Sequence, residues 1–187
     1  MNKGILCLAL AAALLSSIGH AQTKTPKTVR DFFNLLPAKY FEIGCCGVHD
    51  EPDSLKAHTK YLETFLRVED TANGYLEGGC EGGQSCIVMA LFKKPDGSYI
   101  VGVHTANTMY DHNYFLEYRN GRWYDVAAKV VPLYDKNKAY ALPRYGTEVA
   151  VFSTKVVERI SRTQVIREQG PKLYDLVWKN GRFTIKR

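Results

Sequence analysis

The residues of this chain whose types and spacing could do chemistry fall into three groups. The first is the segment His104-Thr105-Ala106-Asn107-Thr108-Met109-Tyr110-Asp111-His112-Asn113, which follows a strand-like apolar run. An imidazole next to a carboxylate is the base and orienter pair of general acid–base catalysis. His104, Asp111 and His112 are therefore the candidate centre of a hydrolase or a metal-dependent enzyme. Nucleophilic catalysis needs an activated hydroxyl or thiol as well, and the chain has neither a G-x-S-x-G elbow nor an S-x-x-K dyad. Ser54 and Ser161 are followed three residues later by Ala57 and Gln164. A solvated loop explains the same residues, so no catalytic signature is complete and the reading leans against an enzyme.

The second group is the cysteines. Cys45 and Cys46 are adjacent, and Cys80 and Cys86 are separated by five residues. Zinc ligands close in sequence usually come as C-x₂₋₄-C, a spacing absent here. A C-x-x-C redox pair is also missing. Disulfides are the remaining use, with three connectivities open. A bridge between the neighbours Cys45 and Cys46 would be strained, because Cα atoms joined by a trans peptide sit only about 3.8 Å apart. Two bridges from the Cys45/Cys46 segment to the Cys80/Cys86 segment are favoured. Each would close a loop of about 35 to 40 residues and contribute about 3 to 4 kcal/mol in the chain-entropy account. No metal and no cofactor is expected.

The third group is a surplus of aromatics, twelve Tyr, eight Phe and two Trp. Sheets use such residues as cross-strand pairs. Tyr134, Tyr140 and Tyr145 lie instead in an irregular stretch, 126–146, and are the candidate exposed binding face for a protein, glycan or envelope component. The remaining clusters are weaker. Asp50, Glu51 and Asp53 around Pro52 read as helix-capping acids. Gly78, Gly79, Gly82 and Gly83 lack the downstream Lys-Ser/Thr of a phosphate cradle.

The compartment is legible at the start of the chain. Met1 to Lys3 supply a basic region, Ile5 to Leu15 are almost all apolar, and Gly19-His20-Ala21 ends on a small residue. This is the pattern of a secretory signal peptide, cleaved after Ala21. Cys7 sits inside it without the small residues of a lipoprotein site, so no lipid anchor is expected. No later run approaches 18 apolar residues, so no membrane span is expected and the mature chain, secreted or periplasmic, should be soluble. Removing the leader takes Lys3 away and leaves 24 basic against 19 acidic side chains, a net charge of +5. That excess is spread along the chain, which argues against nucleic acid. The chain also lacks an Asn-x-Ser/Thr acceptor, which favours a bacterial source.

Residues 22–187 should form one α+β domain, helical over 26–62 and β-rich over 65–187. Thr25-Pro26 reads as the start of a first helix whose face is Val29, Phe32, Phe33 and Leu36, ended by Pro37. A second helix is expected from near Asp50 to about Leu62, with Leu55, His58 and Leu62 on one face. Four turn signals follow: Asn73-Gly74, Pro95-Asp96-Gly97, Asn120-Gly121 and Asn180-Gly181. An Asn-Gly tip selects a type I′ hairpin. It predicts Tyr118 opposite Trp123, Glu117 opposite Tyr124, Trp178 opposite Phe183 and Leu176 opposite Ile185, the last four on one apolar face. The runs 86–92 and 99–103 are apolar on both faces, as central strands require. The whole is a dominant antiparallel sheet, a meander of hairpins stapled by disulfides.

Asp31-Phe32-Phe33-Asn34-Leu35-Leu36-Pro37, Asn73-Gly74-Tyr75-Leu76, Ala90-Leu91-Phe92-Lys93-Lys94-Pro95-Asp96-Gly97-Ser98-Tyr99 and Tyr114-Phe115-Leu116-Glu117-Tyr118-Arg119-Asn120-Gly121 together resemble an uncharacterised group of exported bacterial proteins. The resemblance implies export and a β-rich domain, and carries no activity. The reading favoured is an exported binding module, with the enzyme centred on His104, Asp111 and His112 as the alternative.

Overall fold

The computed structural model describes residues 25–41, 55–79, 85–106, 111–159 and 165–186. The expected leader 1–21, Cys45, Cys46, Cys80, the expected helix start near Asp50 and the segment 107–110 lie outside the described residues. Among the described residues no helix is long and apolar enough to cross a membrane.

Helix α1 (Val29–Asn34) is capped by Thr28, whose hydroxyl accepts from the Asp31 amide while the Asp31 carboxylate accepts from the Thr28 amide. The cap is thus Thr28 and not Thr25: only a residue three before a carboxylate can exchange both bonds. Val29, Phe32, Phe33 and Leu36 are all buried, as their spacing predicts. Helix α2 (Leu55–Phe65) buries Ala57, His58, Tyr61 and Leu62. Leu55, the first residue of the helix, is exposed instead although it is in phase with Leu62 two turns on.

Strands β1 (Leu66–Asp70), β2 (Tyr75–Gly78), β3 (Cys86–Lys93), β4 (Tyr99–Ala106), β5 (Asp111–Arg119) and β6 (Arg122–Asp125) pair in sequence order. They form an uninterrupted antiparallel meander. After the short helix α3 (Ala127–Val130), strands β7 (Ala139–Ala141), β8 (Glu148–Arg159), β9 (Val165–Lys179) and β10 (Arg182–Ile185) form a second sheet in the order β10-β9-β8-β7. The α+β class and the antiparallel meander hold, but two sheets replace the single dominant one. The stretch 126–146, irregular in sequence, contributes both α3 and β7.

The first sheet is the middle layer. On one face Ile87, Met89, Val101, Val103 and Leu116 pack beneath α1 and α2. On the other, Ala90, Phe92, Ile100 and Phe115 pack against Val149, Val151, Leu176 and Phe183 of the second sheet. Successive side chains of a strand point to opposite faces, so a sheet covered on both sides needs apolar residues at every position. That is the physical reason 86–92 and 99–103 read as continuous apolar runs.

The Asn120-Gly121 and Asn180-Gly181 hairpins have the predicted register: Tyr118 opposes Trp123 and Trp178 opposes Phe183. Asn120, Gly121, Asn180 and Gly181 all have positive φ, as a type I′ turn demands. At Asn73-Gly74 only Gly74 does. There Asp70 faces Tyr75 across a four-residue loop, in which the Asn73 amide bonds the Asp70 carbonyl and Asn73 keeps negative φ. Of the apolar four at the last hairpin, Leu176 and Phe183 are buried, but Ile185 is 39% exposed at the sheet edge.

Candidate functional site

The strands that carry the expected site residues end at a cleft of about 240 Å³ between the two sheets. Its floor is the face of the first sheet that looks toward the second. Val88, His104 and Asn113 stand in line across β3, β4 and β5, since Val88 pairs with His104 and His104 with Asn113. Asp111 follows on the same face of β5, two residues from Asn113. The opposite wall comes from the second sheet: Ala139, Tyr140 and Ala141 of β7, then Leu142, then Thr154, Arg167 and Gln169 from the β8–β9 ribbon.

Three register shifts in β8–β9, two of them flanking Phe152, place these last residues. Bulges of this kind bend a strand and re-aim its side chains. Gly102 sets the other end of the cleft. A Cβ there would stand 2.7 Å from Leu142 Cδ2, so its absence is what lets Leu142 lie down on the first sheet.

The polar groups grade from mouth to floor. His104 Nε2 lies 3.1 Å from Asp111 Oδ1, with the two side chains 32% and 43% exposed. Asn113 is only 9% exposed, and its Oδ1 has no hydrogen-bond partner among the described residues. Its backbone carbonyl accepts from the Tyr134 hydroxyl at 3.0 Å. Arg167 Nη2 donates to Asn137 Oδ1 at 2.9 Å, which fixes the guanidinium while leaving further N–H donors of its fork. The Thr154 hydroxyl donates to the Asn137 carbonyl.

Two phenols border the cleft and both are committed. Tyr75 donates to Glu77 Oε2 at 2.8 Å, and burial above all, then this bond, raises its pKa far above the ordinary value. Burial pushes Tyr140 up to about 12, against a backbone hydrogen bond at Asp135 that works the other way. Neither phenol is an acid or base near neutrality.

The expected trio is therefore split. His104 and Asp111 meet, but His112 is on the opposite face of β5, where its ring stands 5.9 Å from that of Tyr114. Side chains at 111 and 112 of a strand must point apart. Surrounding protein holds the His112 pKa below its ordinary 6.5, the nearby cations Arg167 and Lys136 reinforcing this and Asp111 opposing it.

The tyrosine trio does not form one exposed face. Tyr140 is buried at 2% exposure, while Tyr145 is 68% exposed. Tyr134 is half-buried and stacks on Tyr140 with ring centres 5.7 Å apart. The Arg144 guanidinium lies over the Tyr145 ring. An irregular segment predicts exposed tyrosines, but β7 threads Tyr140 into the core between the sheets.

Among the described residues no cluster of three or more His, Cys, Asp or Glu side chains is placed to hold a metal ion. Cys86 alone of the cysteines is described, and it is disulfide-bonded. The expected pairing of Cys45/Cys46 with Cys80/Cys86 lies outside the described residues.

Arg167, Gln169 and Thr154 line the cleft with no place among the candidates of the sequence, and Asn113 figures there only as the last residue of the segment 104–113. Asn113 had one signal, its phase with Phe115 on an alternating strand. Arg167 and Gln169 had none, since their placement depends on where the ribbon bends. A wider and more open hollow of about 650 Å³ lies between α3 and β10. Its polar lining of Lys129, Arg182 and Thr184 sits at the rim of the sheet, with no buried unpartnered group, so the chemistry concentrates in the smaller cleft. Comparison of the chain with protein-family models, with curated proteins and with solved structures finds no match.

Proposed function

We propose that this chain is an exported binding module that takes a small polar ligand in the cleft between its two sheets. The observation that carries the reading is Asn113. A buried acceptor left unpaired costs about 1 to 3 kcal/mol, and this one sits on the floor of a cleft lined by Arg167, Gln169, His104 and Asp111. A ligand that donates to Oδ1 recovers that cost. Export rests on the leader 1–21 and on the resemblance to exported bacterial proteins. The two bridges between Cys45/Cys46 and Cys80/Cys86 would hold the helical layer against the strand ends that carry the cleft. Residues 139–142 of the stretch 126–146 supply one wall, so the reading keeps that stretch as part of the binding surface.

The test is a ¹H–¹⁵N correlation spectrum of the oxidised chain titrated with a panel of amino acids, sugars, small acids and amines. Shifts confined to residues around 104, 113, 154 and 167 support the reading. Shifts elsewhere, or none with any class, overturn it.

A second reading keeps the enzyme, because His104 and Asp111 are a base and its orienter at hydrogen-bond distance. Among the described residues the only aliphatic hydroxyl lining the cleft, Thr154, is bonded to a backbone carbonyl rather than to His104, and this favours binding over acyl transfer. A hydrolytic activity lost in both His104→Gln and Asp111→Asn, with the fold intact, would reverse the preference.

A further inference from the structure

Resting on the reading of the cleft as a ligand site, we propose that its ligand is a zwitterion, a free α-amino acid with a small side chain. The two walls carry opposite chemistry. On the first sheet, Asn113 Oδ1 is an acceptor with no partner among the described residues, and Asp111, two residues along the same face of β5, has one carboxylate oxygen 3.1 Å from His104 Nε2 and a second to offer. On the second sheet, Arg167 presents a guanidinium held in place by Asn137, with the Gln169 amide two residues farther along the same ribbon. A guanidinium fork matches a carboxylate bidentately, and such charge-assisted bonds are roughly twice as strong as neutral ones.

Each simpler ligand class leaves one wall unsatisfied. A plain carboxylate would bind Arg167 but would stand near Asp111 as a like charge and leave Asn113 Oδ1 without a donor. A plain amine would satisfy Asn113 and Asp111 but would meet Arg167 as a second cation. A neutral sugar could hydrogen-bond both walls, yet the rings bordering the cleft offer it little platform, since Tyr140 is 2% and Tyr75 7% exposed. An ammonium that donates to Asn113 Oδ1 within the field of the Asp111 carboxylate, with a carboxylate directed at Arg167, leaves neither wall unpaired.

Size and remaining lining agree. At about 240 Å³ the cleft is below the roughly 300–1,000 Å³ of sites for drug-sized ligands. It corresponds to about eight waters at the roughly 30 Å³ each occupies in the liquid. That suits a single amino acid. The lining also includes Val88, Ala141 and Leu142, apolar neighbours for a short side chain.

The experiment is calorimetric titration of the oxidised chain with L-alanine and L-serine, then with N-acetyl-L-alanine, L-alaninamide, acetate, methylamine and glucose. The expected result is binding of the free amino acids, weakened at least tenfold when either end is blocked. Arg167→Gln, on the ribbon and outside both cores, should weaken L-alanine at least tenfold and leave alaninamide unchanged. Asn113→Leu should erase the preference for alanine over N-acetylalanine. N-Acetylalanine or acetate binding as tightly as alanine, or glucose binding in their place, overturns the zwitterion while leaving the cleft reading standing. Failure of every class to bind, with no shift of cleft resonances, overturns both.

Discussion

Asn113 should be a residue whose replacement by leucine stabilises the protein while damaging the site. Its Oδ1 is buried and has no partner among the described residues, so the folded state bears a desolvation cost of about 1 to 3 kcal/mol that the unfolded state avoids. Leucine keeps the branching at Cγ and removes both polar atoms. Its methyls also add apolar burial at roughly 0.8 kcal/mol per carbon, discounted because one side of the residue faces the cleft. The Tyr134 bond is to the backbone carbonyl of Asn113 and survives. A gain of about 1 to 2 kcal/mol is expected. For a domain of this size that raises Tm by roughly 2 to 8 °C. Urea denaturation with a fixed m-value and a thermal melt would measure it. Thr105→Val is the matched control: its hydroxyl is likewise buried and unpartnered among the described residues, the swap is nearly isosteric, and it should be neutral or stabilising. A loss above about 1 kcal/mol in Asn113→Leu would show that Oδ1 is satisfied in the folded protein, and would refute the strain on which the site is argued.

Three further outcomes are expected. Phe183 is 2% exposed and its ring lies 4.8 Å from Phe92 and 5.3 Å from Phe115, so Phe183→Ala should cost roughly 3 to 5 kcal/mol. Trp178→Ala should cost less, about 2 to 3 kcal/mol, because its indole is half-exposed although Nε1 donates to the Lys93 carbonyl at 2.7 Å. Denaturant midpoints that rank the two the other way would show that this face is not the core. Gly79 has φ +85° and a Cβ there would stand 2.2 Å from the Ser85 carbonyl oxygen, so Gly79→Ala should lose more than about 2 kcal/mol. Gly97→Ala, with similar φ but open space around it, should lose only about 1 to 2 kcal/mol for the left-handed backbone. The Arg30 fork on Glu69 holds that carboxyl below its ordinary 4.5, outweighing the opposing effect of burial. A depressed acid contributes stability that is complete above pH 4.5 and fades as pH falls through the lower folded value. The stability gap between wild type and Glu69→Gln, followed by urea midpoints, should therefore narrow below pH 4.5. A gap that stays constant or widens would contradict the pairing.

Where the sequence foretold the fold, the governing interactions were local. Asn120-Gly121 and Asn180-Gly181 fix hairpin register because a two-residue turn with positive φ at both positions leaves the flanking residues one way to pair. The face Val29, Phe32, Phe33 and Leu36 is set by helical spacing alone, and the continuous apolar runs at 86–92 and 99–103 announced a sheet covered on both sides. The reading failed where polar residues occupy regular structure. His104 and Asp111-His112-Asn113 fit a solvated loop by their polarity, yet the strands continue through them on backbone hydrogen bonds that do not depend on side-chain type. Once 111–113 is a strand, alternation alone turns His112 away from Asp111.

The part of the second wall that comes from the β8–β9 ribbon is beyond the sequence altogether. Arg167 and Gln169 lie more than 50 residues from Asn113 along the chain, and they face it because bulges near Phe152 bend the ribbon and because Gly102 admits Leu142. Splitting the strands into two sheets, burying Tyr140 and leaving Tyr145 in solvent were decided in the same way. The sequence by itself determined the face of the first helix, the Asn120-Gly121 and Asn180-Gly181 hairpins and which strands must be central, since each depends on residues a few positions apart. The tertiary structure alone decided which polar groups converge, because that depends on how two sheets close over a shared core, and no local pattern records it.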